Sequence, residues 1–141
     1  MFDISFERRG RVNDAAGEIL IGEHRTTFLL QLSFWEPQDY RASWRRAAAL
    51  VLEQGFGRFI LSADVPPAMF DTWCCWREGD EAVLQHSILL PSLTRDFSRI
   101  EDAEAYLSDF PVPEAGAPPL PRCSIACVAD FERRLRGSSA Q

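Results

Sequence analysis

The sequence predicts an α+β fold: a mainly antiparallel β-sheet with one long amphipathic helix packed on a face and a short C-terminal helix. Three observations carry this expectation. Apolar residues recur at three- and four-residue steps from Tyr40 to Leu52, as in a helix buried along one stripe. Two alternating segments flank Glu78-Gly79-Asp80, as the strands of a hairpin flank a tight turn. Shorter alternating runs occupy the first 32 residues, where side chains repeat every second position.

Each element has a local reason. Phe2, Ile4 and Phe6 share one side of a strand over residues 1–6. Residues 8–17 read as a polar loop, and strands over 18–22 and 25–32 meet at Gly22-Glu23-His24. The helix opens at Pro37, because a first-turn N–H would lack a helical partner in any case. Tyr40, Trp44, Ala47, Ala48, Val51 and Leu52 form its apolar stripe, Arg41 and Arg45 lie elsewhere, and Gly55 and Gly57 stop it. A strand over 57–64 turns Phe59, Leu61 and Ala63 inward, and Val65-Pro66-Pro67 breaks it. The strand over 69–77 sets Met69, Asp71, Trp73, Cys75 and Arg77 on one face and Phe70, Thr72, Cys74 and Trp76 on the other. Residues 82–90 return beside it.

Beyond Pro91 a short helix is expected over 100–107, its early Glu101 and Asp102 matching the helix dipole. Five prolines make 111–121 a loop. A late strand over 122–128, with Cys123, Ile125 and Cys127 on one side, precedes a helix over 130–136 stopped at Gly137. A single domain over 1–136 with a disordered tail over 137–141 is the resulting expectation.

At 141 residues and 46% apolar content, the chain is long enough for one core without disulfide staples. No apolar run approaches the roughly 20 residues of a membrane span. Residues 1–11 are charged and unlike a secretory signal, so a cytoplasmic protein with no membrane association is expected. The net charge of −6 argues against a nucleic-acid partner, which calls for a basic footprint, and fits either a basic protein partner or simply solubility, with the acidic stretches a solvated face or a docking surface. Acidity is concentrated over residues 96–114, with a net −5, and over 58–81, with a net −3. All 15 basic residues are arginine.

Catalytic chemistry finds little support in the residues. Adjacent Cys74 and Cys75 point to opposite faces of a strand, and Cys123-x-x-x-Cys127 lacks the two-residue spacing of zinc ribbons. Four buried, reduced thiols acting as small hydrophobes are expected. His24 and His86 are the only histidines; His86, in a strand between Leu84 and Ile88, is expected to be a satisfied or semi-buried core residue, and no motif supplies it with a nucleophile or an orienting carboxylate. Gly55-Phe56-Gly57 lacks the third glycine of a phosphate loop and follows a helix. No cofactor, metal or catalytic residue is therefore expected. Of Trp73 and Trp76, which must face opposite ways, one is expected to be exposed as an interaction anchor.

An ordered set of segments adds to this reading. Gly17-Glu18-Ile19-Leu20-Ile21-Gly22, Thr27-Phe28, Leu32-Ser33-Phe34-Trp35, Asp39-Tyr40 and Trp44 are followed by Arg77-Glu78-Gly79-Asp80, Gln85 and a closing segment over 124–135. Together they resemble the immunity proteins of bacterial contact-dependent growth inhibition systems. Glu36-Pro37 stands where a serine-type helix cap is expected of such proteins, Cys74-Cys75 replaces bulkier residues, and the proline-rich segment has no counterpart. The resemblance implies a non-enzymatic protein that binds and neutralises the C-terminal domain of a cognate toxin, expected to be a basic nuclease. Charge and expected exposure, rather than the resemblance, nominate the toxin-binding residues: Asp71, Trp73, Glu78, Asp80 and Glu81 on the hairpin, with Glu101, Asp102 and Glu104 beyond it. An adaptor, or an immunity protein of another secretion system, is the alternative. A small hydrolase using His86 or a cysteine is third.

Overall fold

The computed structural model of the protein describes residues 1–8, 14–32, 35–64, 69–90, 97, 99–114, 116 and 119–139. Seven strands and three helices are present among them. Strands β1 (Phe2–Arg8), β2 (Asp14–Ile21) and β3 (His24–Gln31) form one antiparallel sheet in that order. Strands β4 (Phe56–Asp64), β5 (Met69–Glu78), β6 (Glu81–Leu89) and β7 (Arg122–Ser124) form a second, also antiparallel and in order. Helix α1 (Pro37–Gln54) connects the sheets, α2 (Ile100–Ser108) follows β6, and α3 (Ile125–Ser139) closes the chain. The single sheet expected from the sequence is thus two. The sheets approach between β3 and β4, where the Gln31 N–H donates to Ser62 Oγ at 3.0 Å, a side-chain contact and not a ladder.

Helix α1 takes the predicted place. Glu36 does not close the first turn alone: its N–H donates to the Asp39 carboxylate at 2.8 Å, the reciprocal half of a capping box. This explains how Glu36-Pro37 works without a serine cap. Gly55 ends the helix at φ 84°, its N–H bonded to Val51 O at 3.0 Å. The buried face comprises Tyr40, Ser43, Trp44, Ala47, Ala48 and Val51, so Ser43 joins the stripe and Leu52 is only half-buried. Each large aromatic keeps its polar end paired: Trp44 Nε1–H donates to Ile60 O and Tyr40 O–H to Gln31 O, both at 2.7 Å.

Phe2 of β1, Phe59 of β4 and Phe131 of α3 meet in the core, with ring centroids 4.9–6.2 Å apart. Helix α1 lies against β4 so closely that a Cβ on Gly57 would sit 2.5 Å from Ala47 O. Gly57 therefore belongs to the strand that packs under the helix, not to the helix stop.

The differences from expectation have local causes. Strand β2 starts at Asp14, within the expected polar loop, because Gly17 pairs with Phe28 and the Phe28 ring lies over it. That ring supplies the packing the glycine lacks. In β4, Phe59, Ile60, Leu61, Ser62 and Ala63 are all buried, where one-sided alternation was expected. The register shifts between Ile60 and Ser62, and both faces are covered. The late strand stops at Ser124 and α3 begins at once. Ser124 Oγ accepts the Ala126 N–H at 3.2 Å, as an N-cap does, and Ile125, Val128, Phe131 and Leu135 then repeat at helical spacing. The helix runs through Gly137 to Ser139, so Gly137 does not stop it. Ser33-Phe34, Val65-Pro66-Pro67, Asp96, parts of 8–17 and 111–121, and residues 140–141 lie outside the described residues.

Candidate functional surface

The β5–β6 hairpin forms as expected. Glu78 pairs with Glu81 across a two-residue turn, and Gly79 takes φ 61° in it. Glu78, Asp80 and Glu81 are exposed together at the tip. Their charge is partly balanced by the chain itself, since Arg122 reaches Glu78 at 3.9 Å and Glu81 at 3.5 Å. Arg77, at the same end, donates to Gly79 O at 3.1 Å and to Leu52 O at 3.3 Å.

Asp71 and Trp73 do not join that tip. Asp71 lies seven residues before Glu78, about 23 Å away at the rise of a strand. Its carboxylate meets His86 Nε2 at 2.5 Å, with the two side chains 24% and 44% exposed. The histidine is therefore a surface residue paired to an aspartate, and not a core residue. Trp73 is buried, at 5% exposure, between the His24 and His86 rings with centroids 5.8 and 5.3 Å away. Trp76 is half-buried against Phe56. Neither is the exposed anchor expected, because β5 lies between β4 and β6 and both its faces are packed.

Helix α2 carries the other nominated carboxylates, and they divide. Ile100, Ala103 and Leu107 point inward, while Glu101 and Asp102 are exposed. Glu104 turns to α1 instead. Its carboxylate accepts from Arg46 Nη2 at 2.6 Å and Nε at 3.0 and 3.1 Å, and from Ser43 Oγ at 3.3 Å. The hydrogen bonding raises the Arg46 pKa further above its ordinary value. Glu104 is a clamp between helices. Arg58 of β4 fastens the other end of α2, donating to Leu107 O at 2.5 Å and Pro111 O at 2.8 Å.

Between α1, α2 and β4 lies a cleft of about 240 Å³ that sequence reasoning did not nominate. Leu50 and Val112, 41% and 56% exposed, line it with Ile60, Leu107 and Phe110. Leu50 also borders a shallower groove that continues to Glu53 and Glu101. The available signal was that Leu50 is a large apolar residue off the buried stripe of α1.

Nucleophilic chemistry is not assembled around the thiols. Burial raises the pKa of Cys74 and Cys75, and that of Cys123 from 9.0 to about 11, which holds these thiols protonated. All four cysteines are free; three are buried and Cys127 is half-buried. Among the described residues no group of three His, Cys, Asp or Glu side chains is placed to hold a metal ion. Nor is any of their helices long and apolar enough to cross a membrane.

The two sheets, three helices and surface-borne acidity define a small α+β domain with its charge on the surface. The family model of the CdiI N-terminal domain matches residues 30–112, more than half of the chain. The chain belongs to this family of contact-dependent growth inhibition immunity proteins. Among solved structures, a chain of the CdiA-CT/CdiI toxin and immunity complex from Enterobacter cloacae shares the fold with a TM-score of 0.79. Identity is 16%, and the match covers 97% of this chain and 99% of that one. No curated protein matches.

Proposed function

We propose that the protein binds the C-terminal domain of a cognate contact-dependent growth inhibition toxin in the cytoplasm and neutralises it stoichiometrically, without chemistry of its own. The observation that carries this reading is the family match over residues 30–112. The shared fold with a chain of a toxin and immunity complex supports it. So do the buried thiols, which are held protonated and so are poor nucleophiles.

The toxin is further read as a nuclease. A phosphate-binding cleft is basic, and a protein of net charge −6 with exposed carboxylates on its hairpin and α2 complements it. Such complementarity accelerates encounter and disfavours wrong partners.

The test is growth of cells expressing the toxin domain encoded directly upstream, with and without this protein. Rescue together with a one-to-one complex is expected. The His86→Ala variant is expected to protect equally well, because His86 belongs to no reaction centre in this reading. Absence of both rescue and complex removes the immunity reading; loss of protection in a folded His86→Ala variant revives the hydrolase.

A further inference from the structure

We propose that the toxin domain docks on the cleft between α1 and α2, inserting an apolar side chain that is flanked in the toxin by arginine or lysine. The inference rests on the immunity reading and chooses between the two acidic regions that reading leaves open.

The cleft has the chemistry of an anchor pocket. Its lining is largely apolar, yet Leu50 and Val112 are left 41% and 56% exposed at its mouth. A volume of about 240 Å³ suits one leucine- or phenylalanine-sized side chain and falls below the roughly 300–1,000 Å³ of small-molecule pockets. An apolar anchor filling such a pocket, ringed by polar groups, is the usual form of a binding hot spot.

Charge then selects the occupant. Glu53 lies in the last turn of α1, which holds no basic residue. An acidic side chain there faces the negative end of the helix dipole, an arrangement unfavourable to the isolated protein that a partner's cation relieves. Glu53, Asp102 and Asp109 are exposed and make no ion pair among the described residues. Glu101 meets Arg99 at 3.6 Å, with both side chains more than half exposed, and shares its groove with Arg46. The hairpin tip differs, because Arg122 already bridges Glu78 and Glu81. The cleft thus sets Glu53 and Glu101 near an apolar hole whose rim also holds Arg58 and the Arg46–Glu104 pair, whereas at the hairpin Arg122 already engages Glu78 and Glu81.

Rigid walls make the cleft suitable. The Arg46–Glu104 clamp joins α1 to α2 on one side, and Arg58 ties the end of α2 to β4 on the other. The partner meets a preformed surface and loses little affinity to ordering it.

The experiment measures binding of the purified upstream-encoded toxin domain to wild type, Leu50→Arg, Val112→Arg, the pair Glu53→Arg/Glu101→Arg, and the hairpin triple Glu78→Arg/Asp80→Arg/Glu81→Arg. Thermal melts confirm that each is folded, and the two single substitutions occupy exposed positions, one on α1 and one in the segment after α2. Leu50→Arg and the Glu53/Glu101 pair are expected to weaken binding at least about tenfold, and Val112→Arg by about threefold or more. The hairpin triple is expected to stay within about threefold of wild type. Tight binding by all three cleft variants, with or without loss in the hairpin triple, overturns the proposal and leaves the immunity reading intact. No binding by wild type overturns both.

Discussion

Gly57 illustrates at the scale of one residue how a sequence feature can be seen and its purpose missed. Following the helix and lying close to Gly55, it reads as part of a helix stop. Of these two glycines, Gly55 alone takes the left-handed conformation, at φ 84°. Gly57 is needed because a Cβ there would lie 2.5 Å from Ala47 O and 3.0 Å from Val51 Cγ2. The first obstacle is helix backbone, which cannot swing aside as a side-chain tip does. Gly57→Ala is therefore expected to destabilise the protein by about 1–3 kcal/mol, the range for an overpacked core. Gly55→Asn, at an open left-handed cap, is expected to cost less. Urea midpoints of the two variants test the contrast, and equal costs would refute the close-approach explanation. Trp44 is the opposite case, since its place on the helical period marked it as core before its hydrogen bond to Ile60 O was visible.

At the scale of elements, long periodic segments were the legible ones. The helix from Pro37 and the hairpin around Gly79 combine a repeating pattern with residues that punctuate it. Strand β2 and the start of α3 were misplaced because their causes are non-local or brief. A glycine covered by a cross-strand phenylalanine leaves no apolar alternation, and three residues of β7 cannot be told from the helix that follows. The role of Glu104 was equally hidden: sequence places it among solvated acids, while its partner Arg46 lies 58 residues away.

That clamp gives an element-scale prediction. The Arg46 and Glu104 side chains are 38% and 25% exposed, so solvent screening keeps the pair's contribution to global stability modest, about 1 kcal/mol. Its effect on α2 is expected to be larger, because α2 is short and depends on the clamp and on Arg58. Glu104→Ala should raise amide exchange across Ile100–Ser108 selectively while the Trp44 region of α1 stays protected. Uniform loss of protection in both helices would show that α2 is not an independently held element.

For the whole molecule, the acidic total was plain in the composition, but its arrangement was not, since pairing decides which carboxylates remain available. The cysteines were expected as buried small hydrophobes; three are buried and Cys127 is half-buried, and that burial also makes them a pH liability. Burial raises the Cys123 thiol from 9.0 to about 11 and moves Cys75 and Tyr40 upward as well. These groups are neutral in the folded protein at pH values where the unfolded chain has begun to release their protons. Because the folded state then binds more protons, stability falls as pH rises. The loss begins near the ordinary thiol value of 9.0, and for Cys123 it is complete once pH has passed about 11. That thiol alone accounts for about 2–3 kcal/mol. Urea midpoints measured from pH 7 to 11 should therefore hold level up to about pH 8.5, as far as these groups are concerned, and then drop. The Cys75→Ala/Cys123→Ala variant isolates the share of the two thiols. Its profile should fall less steeply than wild type above pH 9, even if the variant is less stable at neutral pH. Parallel profiles would mean that the thiols ionise as readily folded as unfolded, contradicting their burial against the core.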